Sequence, residues 1–207
     1  MGTYAELVDE IRDDIDRGTA YDNAIHAAIW RSIKFYRATN LGFNVKRGAF
    51  TTGAQYTSLT ADCIGIETLK LDLSTSWDPL ISISYKELHW EDLRQSDSGR
   101  PTHYAMEGRE LRLYPVPDQT YSFAMTYLYD LPEVSASASN DVANSWTTEA
   151  DELIRLHATI DVLETKVKGP EALQDAQALR LREAQVLRQL QARAGRENRS
   201  GGIKPWI

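Results

Sequence analysis

Apolar residues recur at helical spacing at the N-terminal end of the chain. Residues 3–16 carry five of them on one face, and a second such stripe follows after Gly18. Side chains three and four positions apart lie on one face of an α-helix, so two amphipathic helices are predicted. Their predicted buried positions are Tyr4, Leu7, Val8, Ile11 and Ile15, then Ile25, Ala28, Ile29, Ser32 and Tyr36. Trp30, Ile33 and Arg37 form another stripe, which predicts that the second helix is buried on two sides.

From residue 48 to residue 131 apolar and polar positions alternate, which is typical of β-strands. Ala49–Thr52 and Gln55–Leu59 flank a Gly53-Ala54 turn, and we expect them to form a hairpin. Ile64–Leu73 and Leu80–Ser84 predict two more strands. A capping box of Ser84 and Glu87 then predicts a short helix that ends near Gln95.

The stretch from Gly99 to Leu131 contains three further strand-like runs, separated by turn residues. The predicted strands are Thr102–Met106, Glu110–Tyr114 and Thr120–Leu131. Pro115 and Pro117 end the second strand, because proline has no backbone N–H to donate to a neighbouring strand. The order of strands and turns predicts a three-stranded antiparallel meander.

Helical spacing returns after residue 146. A helix from Thr148 to Lys168 is predicted, and Gly169-Pro170 separates it from a last helix that runs from about Glu171 to about Arg193. So short a connection predicts an αα-hairpin. The predicted seams are Leu153, Leu156, Ile160, Leu163 and Val167, then Ala172, Ala176, Leu179, Val186 and Leu190, with polar Glu183 interrupting the second seam.

These patterns predict an α+β fold within one domain of 207 residues. The domain begins with an N-terminal helical pair and continues with a central antiparallel β module that carries a short capped helix. A C-terminal αα-hairpin and an extended tail follow. The predicted segments are 1–42, 48–131, 146–195 and 196–207. No apolar run approaches the roughly 18 residues of a membrane span, and one cysteine, Cys63, excludes an intrachain disulfide.

Charge is distributed unevenly along the chain, whose net charge is −7. Residues 1–16 hold six acids and one base, whereas residues 180–207 hold seven bases and two acids. Two interpretations remain open: the two segments are separate solvated helix faces, or the opposite charges meet, within a molecule or between copies. The acidic balance argues against a chain built to bind nucleic acid.

The sequence contains none of the motifs that carry common catalytic chemistry. It has no phosphate-binding glycine loop and no nucleophile elbow, and its four histidines lack metal-ligand spacing. Cys63 has no evident base nearby in the sequence. We therefore expect no enzyme activity, no metal and no cofactor.

The C-terminal end combines flexible and apolar residues. Glycines are followed by a proline and three large apolar side chains, which a monomer gains little by leaving on a free end. We expect a partner-docking peptide, and the alternative is a tail folded onto its own domain. The predicted partner-binding residues are Gly201, Gly202, Ile203, Lys204, Pro205, Trp206 and Ile207.

Several segments together resemble the head-to-tail adaptor (connector) proteins of short-tailed bacteriophages. They are TYAELVDEI, a helix that ends in FYR, FTTGAQYTSLTAD, GRPTHYAMEGRELRLYPVPDQTYSFAMTYLY and the C-terminal helical pair. The resemblance implies a structural virion protein at the head–tail junction, made in the host cytoplasm. It further implies a ring, typically dodecameric, that contacts the portal protein and the tail or nozzle proteins. DNA would pass through such a ring without specific binding, and no membrane is involved.

Two other functions are compatible with the residues. A β-rich module could bind a glycan or a peptide through Trp77 and Trp90, and a hydrolase could use the carboxylates of Asp62 and Glu67. The size of the assembly distinguishes the adaptor from both.

Overall fold

The computed structural model describes residues 3–16, 18–88, 97–131 and 144–200, with side chains described up to residue 196. The chain divides into two compact units. One unit is Val45–Leu131, and the other combines Met1–Asn44 with Pro132–Ile207. The first is built of strands and the second of helices.

Helix α1, Tyr4–Ile15, opens the helical unit and begins at a capping box. The backbone N–H of Glu6 donates to the Thr3 hydroxyl (3.2 Å), and the N–H of Thr3 donates to the Glu6 carboxylate (2.8 Å). These bonds satisfy two N–H groups that a helix start leaves without partners. The five apolar positions predicted for this helix are all buried, which confirms the expected stripe.

Helix α2, Asp22–Tyr36, follows a 3₁₀ turn at Gly18–Tyr21. Its first predicted stripe is buried throughout, from Ile25 to Tyr36. The prediction of burial on two sides is wrong for Trp30, which is 42% exposed, whereas Ile33 and Arg37 are half-buried. Phe35, outside both stripes, is 66% exposed. The contacts of α2 are mainly with α1 and α5 (Asp151–Val162), and these cover one face of the helix.

The helix predicted from Thr148 to Lys168 is divided in the structure. Helix α4, Ser145–Thr148, is capped by Asn144, whose side chain accepts from the N–H groups of Trp146 and Thr147. Helix α5 starts after Ala150 and passes into a π-helical turn, Leu163–Val167. The helix is interrupted next to Trp146, which is buried and whose ring packs edge-on against Phe43 (5.1 Å between centroids). A straight helix through Glu149 would move this indole.

The αα-hairpin is confirmed. Helix α6, Pro170–Ser200, returns along α5, and the central seam residues Leu156, Ile160 and Leu163 are buried. Helix α6 is longer than predicted, so residues 196–200, which the sequence pattern assigns to the tail, are helical. At 1.5 Å per residue its 31 residues span roughly 46 Å.

The strand unit contains a long sheet of four antiparallel strands. Their order is β1-β10-β3-β4, with β1 Val45–Thr52, β10 Tyr121–Tyr129, β3 Cys63–Asp72 and β4 Trp77–Pro79. Strand β10 is central and pairs with β1 over eight residues, from Val45↔Leu128 to Thr52↔Tyr121. Its register with β3 shifts after Thr126 and after Leu128, which marks bulges.

A second sheet of four strands has the order β2-β8-β7-β5. These are β2 Tyr56–Ser58, β8 Glu110–Tyr114, β7 His103–Glu107 and β5 Ile81–Ser82, of which β5 runs parallel to β7. A short parallel pair joins β6, Ser98–Gly99, to β9, Val116–Pro117. The predicted capping box is confirmed: the N–H of Ser84 donates to Glu87 (2.9 Å), and helical residues 85–88 (α3) follow it.

Two predicted strand pairings are wrong. The hairpin β7–β8 forms as expected, but β10 lies in the other sheet, so there is no three-stranded meander. At the prolines the chain leaves the β7–β8 ladder, and Val116–Pro117 pairs with Ser98–Gly99. Strand β10 then pairs with two long strands, β1 and β3. Strands β1 and β2 also separate into different sheets, so the predicted hairpin is a corner.

The turn at that corner leaves little room for a side chain. A Cβ on Gly53 would lie 3.2 Å from the Thr120 hydroxyl and 3.3 Å from the Gln119 carbonyl oxygen. These distances are shorter than ordinary van der Waals contact, so Thr120 and Gln119 would have to shift by a few tenths of an ångström. The core of the unit lies on apolar positions of both sheets, including Leu69, Leu71, Leu111, Leu113 and Phe123. Arg112, between two of these leucines, is only 2% exposed and lies over the rings of Tyr56 and Tyr85.

Candidate assembly surfaces

The predicted docking residues 201–207 lie outside the described part of the chain, so their site is considered through the helix that leads to them. Ala194, six residues before the end of α6, is buried. Arg193 lies 3.7 Å from the carboxylate of Glu149, at the junction of α4 and α5. Helix α6 therefore packs against the rest of the helical unit as far as Ala194.

A groove lies between the start of α5 and the second half of α6. Its volume is about 240 Å³, below the roughly 300–1,000 Å³ of most small-molecule sites. It is open to solvent and lined by apolar and charged side chains, including Glu149, Leu153, Val186, Leu190 and Arg193. The groove is therefore smaller than most small-molecule or cofactor sites.

Glu183, the polar residue that interrupts the seam of α6, joins three helices. Its carboxylate accepts a hydrogen bond from the hydroxyl of Tyr36 on α2 (2.6 Å) and lies 2.5 Å from Nδ1 of His157 on α5. The Glu183 side chain is 14% exposed. Burial raises the pKa of Glu183, but the hydrogen bonds from His157 and Tyr36 outweigh it and hold the pKa below its usual value. Burial and the bond to Glu183 raise the pKa of the Tyr36 hydroxyl.

This network lies beneath an exposed aromatic residue of α2. The ring of Phe35 stacks on His157 (4.9 Å) and meets Tyr36 edge-on (5.0 Å). The ammonium of Lys34, the residue before Phe35, lies 3.7 Å from the centre of the Trp30 ring. The sequence placed Trp30 in a second buried stripe and did not single out Phe35. Helix periodicity alone does not say how many faces of a helix have neighbours.

The two oppositely charged segments of the chain both pair with α5. Arg155 of α5 binds Glu10 (2.7 Å) and approaches Asp14 (3.4 Å) of α1. From the other side, Arg182 of α6 binds Glu152 of α5 (2.6 Å). Arg180 likewise binds Glu164 in the π-helical turn (2.7 Å). Burial raises the pKa of Asp14, and the charge of Arg155 opposes this shift.

The residues weighed for catalysis occupy structural positions. The Asp62 carboxylate accepts a hydrogen bond from Lys46 Nζ (2.9 Å), which lowers the pKa of Asp62 and makes it a poor proton donor. Cys63 is buried, and burial raises the pKa of its thiol. Trp77 is exposed on edge strand β4, whereas Trp90 lies outside the described residues. Within the described ranges no three His, Cys, Asp or Glu side chains are grouped closely enough to hold a metal.

The family model of the SU10 adaptor proteins matches residues 2–205 of the chain. The chain belongs to this family. No protein with a curated description matches it. The match confirms the resemblance to phage adaptor proteins that the sequence segments indicated. The SU10 adaptor family is a family of structural phage proteins and not of enzymes.

Membership gives the surfaces described above a context. A phage adaptor is a virion component that interacts with portal and tail proteins. Among the described helices, none has the length and apolar character needed to cross a membrane.

Proposed function

We propose that this SU10 adaptor protein forms a ring that joins the portal protein to the tail at the head–tail junction of the virion. DNA passes through the channel of the ring during ejection without being bound specifically. The observation that carries the proposal is the family match over residues 2–205, because it covers both the helical and the strand unit.

The C-terminal tail is the proposed contact with the portal or with a neighbouring subunit. Gly201 and Gly202 give the segment reach beyond α6, and Pro205 restricts its end to extended conformations. The apolar side chains that would anchor it are Ile203, Trp206 and Ile207. Anchored turns of α6 up to Arg193 support this role, because they give the tail a defined origin.

The charge balance supports passage of DNA through the ring. A net charge of −7 on each subunit, repeated around a channel, repels the phosphate backbone. A protein that bound DNA tightly would place clustered bases along the path instead. Three bases of α6, Arg180, Arg182 and Arg193, are partly neutralised by their partners Glu164, Glu152 and Glu149.

The second candidate function is a glycan- or peptide-binding module. The exposed ring of Trp77, on an edge strand of the long sheet, is the observation that favours it. An edge strand offers unpaired backbone groups to an extended peptide, with the indole as an anchor. Such a module would work as a monomer.

The mass of the assembly tests the proposal. The chain, alone or after addition of the portal protein of the same phage, should sediment as a closed ring with the mass of many 23.4 kDa subunits, expected to be twelve. A chain that remains monomeric under both conditions would contradict the ring. If the monomer's tryptophan fluorescence were then quenched by a sugar or a peptide, the second candidate would replace it.

A further inference from the structure

The outward face of α1 carries only acids. Opposite its buried stripe lie three carboxylates at spacings of three and four residues: Glu6, Asp9 and Asp13. All three are exposed. Like charges at this spacing destabilise a helix, and the one base in α1, Arg12, binds Asp9 and Asp22. Glu6 and Asp13 have no ion-pair partner among the described residues.

The outward face of α6 has the opposite character. Opposite its seam lies a stripe at the same spacing, without a single acid: Gln174, Ala178, Leu181, Gln185, Arg188, Ala192 and Arg196. Leu181 is 72% exposed, the most exposed of the large apolar residues of the chain's described part. No described ion pair involves Arg188 or Arg196, whereas Arg180, Arg182 and Arg193 each bind a glutamate of the segment Glu149–Glu164.

The charged positions of the two stripes are similarly spaced. Glu6 and Asp13 are roughly 10 Å apart along α1, and Arg188 and Arg196 are roughly 12 Å apart along α6, at 1.5 Å per residue. No ion pair joins the stripes within one described chain. Within the described part of the chain, a subunit thus presents two surfaces of complementary charge that do not pair with each other.

We propose that the outward face of α1 in one copy of the chain docks on the outward face of α6 in the next copy. Asp13 faces Arg188 and Glu6 faces Arg196, and the small side chains of Ala178 and Ala192 allow close approach around Leu181. The contact is heterologous, since each copy offers a different face to each neighbour, and a rotation between copies that closes on itself gives a ring. This inference rests on the proposed ring function and identifies the subunit interface.

A second copy fits the α6 face better than DNA does. The stripe offers two unpaired arginines, whereas proteins that bind DNA usually neutralise more phosphates than that. Its centre is apolar, at Leu181, and the whole chain carries a net charge of −7. An acidic helix supplies both the charge and, through its methylene groups, the contact that Leu181 lacks.

Disulfide cross-linking between two variants tests the interface. One variant carries Asp13→Cys and the other Arg188→Cys, and the native Cys63 is buried and does not interfere. In the presence of the portal protein, the mixture should give a cross-linked dimer under mild oxidation, and neither variant alone should give one. The matched control is Glu107→Cys, at an exposed turn of the strand unit, mixed with Arg188→Cys.

Each other outcome overturns a defined part of the proposal. Cross-linking of one variant with itself would show an isologous contact, and rings that give no cross-link in the mixture would contradict the α1–α6 interface while leaving the ring function intact. Absence of both rings and cross-links would contradict both. If the wild-type chain bound a DNA duplex, and Arg188→Glu abolished this binding but left the rings unchanged, the α6 face would be a nucleic-acid-binding surface and not the subunit interface.

Charge reversal provides a second readout that does not depend on cysteine. Asp13→Lys and Arg188→Glu should each reduce the fraction of chain in rings, because each places like charges opposite one another. The double variant should restore the rings, since it exchanges the two charges. Failure of the double variant to assemble, with helix content and melting temperature unchanged, would contradict the pairing.

Discussion

Glu183 shows how one carboxylate can connect three helices. It accepts hydrogen bonds from the Tyr36 hydroxyl and from His157, and both donors reach it from other helices. A buried carboxylate without such donors would be neutral at ordinary pH, because desolvation disfavours its charge. Here the donors keep the pKa of Glu183 below its usual value, so it remains charged and fixes the spacing of α2, α5 and α6.

Replacing Glu183 by glutamine should destabilise the chain by about 1–3 kcal/mol at pH 7, because it weakens two bonds to a charged acceptor. The pKa of Glu183 is lower in the folded chain than in the unfolded one. Its contribution is therefore complete above the unfolded-state pKa and is lost as pH falls through the folded-state pKa. Denaturant titrations should show the difference between wild type and Glu183→Gln shrinking in acid.

The control is Asp175→Asn, at an exposed position of the same helix, which should change stability by less than about half a kcal/mol. An equally small effect of Glu183→Gln would mean that the network does not connect the helices. A difference that grew in acid would contradict the lowered pKa.

At the scale of elements, α5 is the centre of the helical unit. Helices α1, α2 and α6 all pack against it, and its residues are buried on more than one face, from Leu153 and Ile154 to Val162. Its charged side chains, Arg155 and Glu152, bind α1 on one side and α6 on the other. The two ends of the chain are thus held together through a helix that belongs to neither.

Truncation of the α5 seam should therefore be costly. Ile160→Ala removes a buried side chain from the contact between helices and should cost about 2–4 kcal/mol in the free energy of unfolding. The matched variant is Leu181→Ala on the exposed face of α6, which should cost less than about half a kcal/mol in the monomer. Equal costs in urea denaturation of the monomer would contradict the assignment of inner and outer faces.

At the scale of the whole molecule, the tail is the predicted link between the subunit and its partner. Deletion of residues 202–207 should leave the melting temperature nearly unchanged and abolish docking to the portal. A buried tryptophan at an interface contributes more than about 2 kcal/mol, so Trp206→Ala alone should weaken docking by roughly tenfold or more. Scanning calorimetry and a portal pull-down measure the two effects separately.

The results that would contradict this role are distinct. Unfolding of the truncated chain would place the tail in the core of its own domain, and normal docking would make it incidental. The control is Trp77→Ala on the exposed edge strand, which should leave portal docking unchanged.

What the sequence determined by itself was local. Residues at regular spacing showed where α1, α2, α5 and α6 lie, because a helix needs one apolar face, and Ser84 with Glu87 showed where a helix starts. The apolar seam around Ile160 and the strand runs of β7 and β8 followed from the same rule. The segments that resemble phage adaptors led to the correct family before any fold was known.

Tertiary structure decided which elements meet. Alternation in β10 shows that it is a strand but does not show which strands pair with it. Strand β8 is nearer in sequence, but β1 and β3 are longer and pair with β10 along most of its length. Likewise, periodicity in α2 does not say that the side of Trp30 lacks a neighbour. Glu183 interrupts its seam in the sequence, and only packing brings Tyr36 and His157, 147 and 26 residues away, to its carboxylate.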